Sequence, residues 1–320
     1  MRTRTADTEE CRTERLGPEI SDLIVAFAPD TLARLPVQQE TASGEFDQRG
    51  NRWEAQIVRS LPAEDGLLDP AAVDRLLVAV HAGIQGISEE FSHGLRVASL
   101  LRPLLHALRQ ARPGGGAIRV VDIGCGTGYV VRWLAAFGEL GPDVELLGAD
   151  YNAALVAEAA RLADCENLHC GFVVANAFGL AQPADVLLST GVLHHFQGAA
   201  LEEFFGHHAE SGASGFLHFD FQPSLFAPPG AWAFHALRAR LALARHDGVL
   251  SARRVHSGVR LRDAAQAGAS GFQTAVYSAR AGVVPLPPSF HTLVGLRPAL
   301  VPLFADALGP ASGRLTDWNP

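Results

Sequence analysis

The spacing of apolar residues changes character near residue 113. Before that point apolar positions recur every three or four residues, as from Val73 to Ile84, and this spacing predicts amphipathic helices. After it, short apolar runs alternate with helical patterns, which is the order expected of a mostly parallel sheet with helices on both faces. The proline and glycine cluster at 113–116 marks the boundary between the two patterns.

The second pattern predicts individual elements. The predicted strands are Ile118–Ile123, Val144–Ala149, Leu168–Val174, Val186–Thr190, Phe216–Phe221, Gly271–Arg280 and His291–Arg297, and the predicted helices between them are 128–138, 153–163 and 199–210. The link between the last two strands, 281–290, holds three prolines and has no helical period. A parallel crossover needs a longer connection, so we expect the last strand to run antiparallel to the sheet.

These patterns divide the chain into three parts. Residues 1–18 are polar and charged and are expected to form a disordered tail, whereas 19–112 form a helical N-terminal region that caps the rest. The sheet domain covers 113–320. Its alternation is interrupted at 223–262 by prolines and a helical run, which predicts an insertion near the carboxyl end of a parallel strand, where a lid would lie.

The composition of the chain limits the classes of function that it can have. The chain has 320 residues, 48% of them hydrophobic, and a formal net charge of −8, which argues against a nucleic-acid partner. Its four cysteines form no CxxC pair and no zinc-ligand spacing, so we expect no metal site. The mixed-charge N-terminus is not a signal peptide, and no apolar run is long enough to cross a membrane. A cytoplasmic protein is therefore expected.

The most informative stretch is the glycine turn that follows the first strand of the sheet domain. Gly124, Gly126 and Gly128 stand at alternate positions between an apolar strand and a helix. This arrangement brings a ligand close to the backbone at a helix N-terminus. Position 129 is Tyr, so the G-x-G-x-x-G dinucleotide pattern is absent. A purely structural turn is the alternative.

Two later strand ends carry candidate ligand groups. Asp150 ends the second strand, where a carboxylate can accept both hydroxyls of a ribose, although it could instead cap the next helix, a role that Asn152 could equally fill. Asn176 and Phe178 follow the third strand and suit a flat base, with an amide for its edge and a ring for its face. An ordinary turn with a core Phe is the alternative.

Histidines and an aspartate follow the next two strands. His194 and His195 come after Thr190-Gly191, where a general base would lie, but they could serve only to shape a ligand pocket. His218 and Asp220 alternate onto one face, and Asp220 is either a base, a substrate anchor or a turn cap.

Further histidines lie outside these strand ends. His207 and His208 share one helix with acidic residues, and we expect a solvated helix end there rather than a metal site. Phe91, His93 and Arg96 are candidates for a substrate cavity, or else they pack in the core.

Four of these stretches together resemble the class I S-adenosylmethionine-dependent methyltransferases. They are Val120–Gly128, Gly148–Asn152, Asn176–Phe178 and Ser189–Phe196, and they follow one another in the order and spacing of that family over about residues 117–197. The resemblance implies an α/β fold: a doubly wound, Rossmann-like, seven-stranded sheet, mostly parallel with an antiparallel last strand. Many members carry Asp where Asn176 stands, and Asn keeps an acceptor there.

The resemblance also implies a function: S-adenosyl-L-methionine donates a methyl group to an O, N or C nucleophile of a small-molecule acceptor, and S-adenosyl-L-homocysteine is the product. The implied cofactor-binding residues are Asp122, Gly124, Cys125, Gly126, Thr127, Gly128, Asp150, Tyr151, Asn176, Ala177, Phe178, Thr190 and Gly191, and the candidate catalytic residues are His194, His195 and Asp220. The glycine loop would bind the methionine moiety, Asp150 the ribose and Asn176 the adenine. No nucleic acid or membrane partner is expected, and a homodimer is left open.

Two alternatives to this function belong to other classes. A nicotinamide-dependent oxidoreductase would require G-x-G-x-x-G and an all-parallel sheet, and both the Tyr at position 129 and the proline-rich terminal link argue against it. A catalytically silent methyltransferase-like subunit would bind cofactor without chemistry. A blocked pocket, or one without a plausible base, would distinguish that subunit.

Overall fold

The computed structural model describes residues 17–224, 229, 232, 241–279, 290–316 and 318. The predicted tail at 1–18 lies almost wholly outside them, as do most of 225–240 in the predicted insertion and the link at 281–289. Among the described residues, no helix is long and apolar enough to cross a membrane.

The described helices are α1 (Ile20–Ile24), α2 (Gln39–Gln48), α3 (Arg52–Arg59), α4 (Pro70–Glu90), α5 (His93–Ala111), α6 (Tyr129–Phe137), α7 (Ala153–Cys165), α8 (Ala199–Glu210), α9 (Ala242–Arg254), α10 (Gly258–Gly268) and α11 (Val301–Leu308). The described strands are β1 (Ala26–Phe27), β2 (Arg34–Leu35), β3 (Ala63–Glu64), β4 (Leu67–Leu68), β5 (Ile118–Ile123), β6 (Val144–Asp150), β7 (Gly171–Val174), β8 (Val186–Thr190), β9 (Gly215–Phe221), β10 (Gln273–Ala279), β11 (Phe290–Leu296) and β12 (Leu315–Thr316).

The chain divides into two compact units. One contains Met1–Gly86 and Ser224–Arg254, and the other contains Ile87–Pro223 and Val255–Pro320. The division in the N-terminal region falls at Gly86, within α4. It also cuts the predicted insertion after Arg254.

The first unit is mainly helical, with two small antiparallel hairpins formed by β1 with β2 and by β3 with β4. Its two chain segments are joined by a buried aspartate. The Asp247 carboxylate on α9 accepts hydrogen bonds from the backbone N–H groups of Ile20 and Ser21 at 2.9 and 3.0 Å. These are donors at the start of α1 that have no partner within the helix, so a distant side chain caps that helix.

The second unit is built on a single sheet. Its strand order is β12-β10-β11-β9-β8-β5-β6-β7, with β5 to β9 mutually parallel and β11 antiparallel to both of its neighbours. The predicted α/β fold and antiparallel last long strand are confirmed. The predicted count of seven strands is wrong, because β12 adds an eighth. A two-residue strand at the sheet edge is too short to show a period, so the sequence does not reveal it.

The two faces of the sheet pack into separate cores. Val120 faces a cluster formed with α5 and α11, whereas its neighbour Val121 faces a cluster formed with α8 and α10. Leu217 and Phe216 on β9 divide in the same way. This alternation explains why the central strands are apolar at nearly every position. Because β5 to β9 run in the same direction, their carboxyl ends lie along one edge of the sheet.

Candidate functional site

The glycine turn is held in a conformation that ordinary residues avoid. Gly124, Gly126 and Gly128 have φ angles of +68°, +55° and +73°, and left-handed backbone costs an L-residue about 1–2 kcal/mol. The N–H groups of Gly124 and Cys125 donate to the Ala149 carbonyl at 2.8 and 3.1 Å, which ties the turn to the end of β6.

Packing also requires glycine at two of these positions. A Cβ at Gly128 would lie 2.4 Å from a ring carbon of Phe172, and one at Gly124 would lie 2.7 Å from a methyl group of Val192. Both distances are shorter than any ordinary contact between side chains. The turn is therefore close-packed from within, so a structural role exists alongside any ligand role.

Asp150 organises the same turn through its carboxylate. It accepts hydrogen bonds from the N–H of Gly126 and the N–H of Asn152, each at 2.9 Å. Asn152 caps α7 by accepting from the N–H of Ala154. Because Asn152 performs the capping, the alternative role of Asp150 as a helix cap is not needed, and its carboxylate instead faces the turn. The adjacent Tyr151 side chain is half exposed.

Asp122, at the end of β5, is the most perturbed acid of this region. It is buried, and its Oδ1 atom has no hydrogen-bond partner among the described residues. Burial, and then the charge of Asp150, raise its pKa to about 8. A buried acid without partners is costly. It fits a cationic ligand group, such as the ammonium of an amino acid, as its missing partner.

Other candidate cofactor-binding residues lie in the glycine turn and just after β7. Burial and the nearby carboxylates raise the pKa of the Cys125 thiol, which removes it as a nucleophile. Thr127 is buried. The side-chain Oδ1 atom of Asn176 accepts a hydrogen bond from the N–H of Phe178 at 3.0 Å and so closes a local turn. Only the second lone pair of this oxygen remains for an adenine base. The Phe178 ring, like Ala177, packs against the core.

A second set of groups lies at the ends of β8 and β9. The His194 ring approaches the Asp220 carboxylate through Nδ1 at 3.1 and 3.2 Å, and the His194 backbone N–H donates to the same carboxylate at 3.1 Å. Burial favours a higher pKa for Asp220. The charge of His194 and its hydrogen bond oppose this, and the net effect is a lowered pKa. His195 is exposed, and its ring centroid lies 4.4 Å from that of His194.

Asp220 and the end of β8 line a pocket. It offers about 290 Å3 of space, part of it open to solvent, and its walls are His93, Arg96, Val97, Thr190, Gly191, Phe219, Asp220, Phe221 and Phe290. Sequence reasoning suggested His93 and Arg96 for a cavity but did not identify Phe290. That residue reaches the pocket because β11 pairs with β9 and places Phe290 opposite Phe221, a long-range pairing without a local signal.

Two buried histidines, His208 on α8 and His218 on β9, connect the helix to Ser189 on β8. His208 donates through Nδ1 to the Phe204 carbonyl at 2.8 Å, since a carbonyl can only accept. Its Nε2 lies 2.7 Å from Nε2 of His218, whose Nδ1 lies 2.8 Å from the Ser189 hydroxyl. With both rings neutral, Nε2 of His208 must accept from the N–H at Nε2 of His218. Nδ1 of His218 must in turn accept from the Ser189 hydroxyl.

Burial enforces that neutral state. It lowers the pKa of His208 to about 3, and burial followed by the neighbouring His208 lowers that of His218 well below its usual value. The predicted solvated helix end is therefore wrong for His208, which packs among Phe204, Phe205 and Phe216. His207 on the same helix is partly exposed and lies 3.7 Å from Glu210.

Comparison with known proteins finds a methyltransferase domain in the segment that holds the glycine turn. The family model described as a methyltransferase domain matches residues 120–212. This segment begins in β5, which precedes the glycine turn, and ends just after α8. No curated protein matches the chain. The matched segment covers most of the stretch that holds the four motifs, so the resemblance to a methyltransferase that the motifs indicate is confirmed.

Solved structures show similarity of the same kind at low identity. The plantazolicin methyltransferase BpumL, solved with S-adenosylhomocysteine and a pentazolic substrate analogue, is 11% identical, with 72% of this chain and 92% of that chain covered and a TM-score of 0.49. The magnesium protoporphyrin IX methyltransferase of Synechocystis is 17% identical, with coverages of 81% and 99% and a TM-score of 0.42. A protein of echinomycin biosynthesis is 23% identical, with coverages of 64% and 86% and a TM-score of 0.41.

Proposed function

We propose that the chain transfers a methyl group from S-adenosyl-L-methionine to a small molecule bound in the pocket. The observation that carries this proposal is the position of Thr190 and Gly191. They belong to the matched methyltransferase segment, and they also form part of the pocket wall together with Asp220. A donor bound along the matched strand ends and an acceptor in the pocket would therefore be neighbours.

The residues at the ends of β5 and β6 suit the donor. Asp122 offers a buried, unpartnered carboxylate for an ammonium group, and the glycine turn lets backbone approach closely. Asp150 lies beside the turn, where its carboxylate accepts from two backbone N–H groups, and we propose that it also accepts from the ribose hydroxyls. When bound, S-adenosylmethionine supplies an activated methyl group, so the protein's contribution is to align the acceptor and exclude water.

His194 and Asp220 are proposed to handle the acceptor's proton. The carboxylate accepts from Nδ1 and orients the ring, and Nε2 is the ring atom that we propose exchanges a proton with the acceptor. This is the arrangement by which a carboxylate orients a histidine base. His195 is exposed beside His194, and we propose that it borders the site rather than takes the proton.

Calorimetry with S-adenosylhomocysteine and with NAD tests the donor part of the proposal. We expect S-adenosylhomocysteine to bind with a stoichiometry of one per chain and NAD not to bind. Binding of NAD alone would favour the nicotinamide alternative, which the antiparallel β11 already disfavours.

Incubation with S-adenosylmethionine and a library of small acceptors, with mass spectrometry for S-adenosylhomocysteine, tests the chemistry. We expect turnover with at least one acceptor. Tight binding of the homocysteine product without turnover across the library would instead support a silent binding subunit.

A further inference from the structure

The pocket contains one charge that nothing nearby neutralises. Arg96, on the first turn of α5, is half-buried, and no carboxylate among the described residues lies within ion-pair distance of it. Its Nε donates to the Phe91 carbonyl at 2.8 Å, and its guanidinium carbon lies 5.1 Å from the centre of the Phe290 ring. Burial lowers its pKa, which shows that the charge is partly desolvated.

The remaining polar groups of the pocket cannot supply the missing anion. Asp220 lines it, but its oxygens already accept from the N–H groups of His194 and Phe221 and from the His194 ring. His93 is held neutral, because burial and then Arg96 lower its pKa to about 4. Its Nε2 is buried and has no partner among the described residues. The pocket thus presents one unpaired cation and one unpaired neutral polar atom.

Aromatic rings form the other walls. Phe221 and Phe290 lie 4.6 Å apart between ring centres, and His93 packs edge-on to Phe290 at 4.9 Å. Flat apolar walls favour a flat apolar ligand, which can stack or meet the rings edge-on.

We propose that the acceptor is an aromatic monocarboxylate, whose carboxylate pairs with Arg96 and whose ring packs against the wall formed by Phe221 and Phe290. The planar guanidinium fork matches a carboxylate with two parallel hydrogen bonds. A single negative charge fits better than the double charge of a phosphate monoester, since the anionic Asp220 lines the same pocket. The orphaned Nε2 of His93 provides one further polar contact. This inference rests on the proposed function for the identity of the ligand as an acceptor.

Paired ligands test the inference without knowledge of the natural acceptor. Calorimetry would compare 4-hydroxybenzoate, 4-hydroxyphenylacetate and indole-3-carboxylate with their primary amides, which keep the shape and lose the charge. The titrations are run on the free protein and on protein saturated with S-adenosylhomocysteine. We expect at least one acid to bind at least about tenfold more tightly than its amide. Equal affinities in every pair, or no binding of any acid at millimolar concentration, would overturn the proposal.

Variants assign any such preference to Arg96. Arg96→Gln should abolish the preference for the acid while leaving the affinity for S-adenosylhomocysteine unchanged, and Arg96→Lys should keep part of it. Arg102→Gln is the matched control, because Arg102 lies on the same helix but hydrogen-bonds carbonyls outside the pocket. An unchanged preference in Arg96→Gln would contradict the assignment. If the wild type did not bind S-adenosylhomocysteine, the proposed function would be contradicted instead. The acid–amide comparison on the free protein would still test the ligand preference of the pocket.

Discussion

Two carboxylates near the carboxyl ends of β5 and β9 are equally buried, but their pKa values shift in opposite directions. Asp122 and Asp220 are each 2% exposed. Burial and the charge of Asp150 raise the pKa of Asp122 to about 8, whereas the positive charge of His194 and several hydrogen bonds outweigh burial and lower the pKa of Asp220. Partners, rather than depth, decide the charge of a buried acid.

The comparison extends to the two edges that these acids occupy. The glycine-turn edge, at the ends of β5 and β6, brings two carboxylates together and leaves one oxygen without a partner, so it fits an external cation. The histidine edge, at the ends of β8 and β9, satisfies its acid internally, and the adjoining pocket holds the cationic Arg96 without a carboxylate partner among the described residues. The two edges therefore suit ligands of different charge.

The largest loss of stability is expected from glycine substitutions at the two edges. Gly128 and Gly191 have similar φ angles of +73° and +66°, but a Cβ at Gly128 would meet Phe172 at 2.4 Å, whereas one at Gly191 would meet nothing within 4 Å. Gly128→Ala should lower the free energy of unfolding by about 3 kcal/mol, because strain and overpacking add. Gly191→Ala should cost about 1 kcal/mol. Urea unfolding followed by circular dichroism measures both, and equal losses would refute the packing argument.

A smaller effect is expected from the histidine chain as the pH falls. The pKa of His208 is near 3 in the folded state and near 6.5 when unfolded, so the unfolded state binds more protons between these values and stability is lost as the pH falls through that window. At pH 5 the loss is roughly 2 kcal/mol from this one group.

The double variant His208→Leu/His218→Leu isolates this contribution. Its free energy of unfolding should change less between pH 7 and pH 5 than that of the wild type, whatever its absolute stability. A change of the same size in both proteins would show that the chain does not titrate as the structure implies.

An effect of the opposite sign, a gain in stability, is expected at the glycine-turn edge. Asp122 has a folded pKa of about 8 against 3.8 for the free group, so the folded state holds a proton that the unfolded state releases, and stability falls as the pH rises through this window. Asp122→Asn should therefore gain roughly 5 kcal/mol on the wild type between pH 4 and pH 8, because each unit of pKa shift corresponds to about 1.4 kcal/mol. Asp164→Asn, at an exposed position of α7, is the control. A gain that does not depend on pH would contradict the titration of Asp122.

The sequence predicted the elements of the sheet closely, since periodicity and glycine placement are local signals. β5 and β8 have the predicted bounds, and the antiparallel direction of β11 followed from the proline-rich link. What the sequence missed depends on distant contacts. Phe290 reaches the pocket only by pairing with β9, and α9 joins the N-terminal unit through Asp247 and α1. His208 looked solvated because its burial is set by neighbours on β9.

The central claim is that the donor binds at the glycine-turn edge and not at the histidine edge. The most direct test compares the affinity for S-adenosylhomocysteine of two isosteric variants, Asp150→Asn and Asp220→Asn, with folding checked by circular dichroism. We predict that Asp150→Asn loses at least about tenfold in affinity, as expected for hydrogen bonds to a charged group, and that Asp220→Asn stays within about threefold of the wild type. Full affinity in Asp150→Asn, or a larger loss in Asp220→Asn, would contradict the claim.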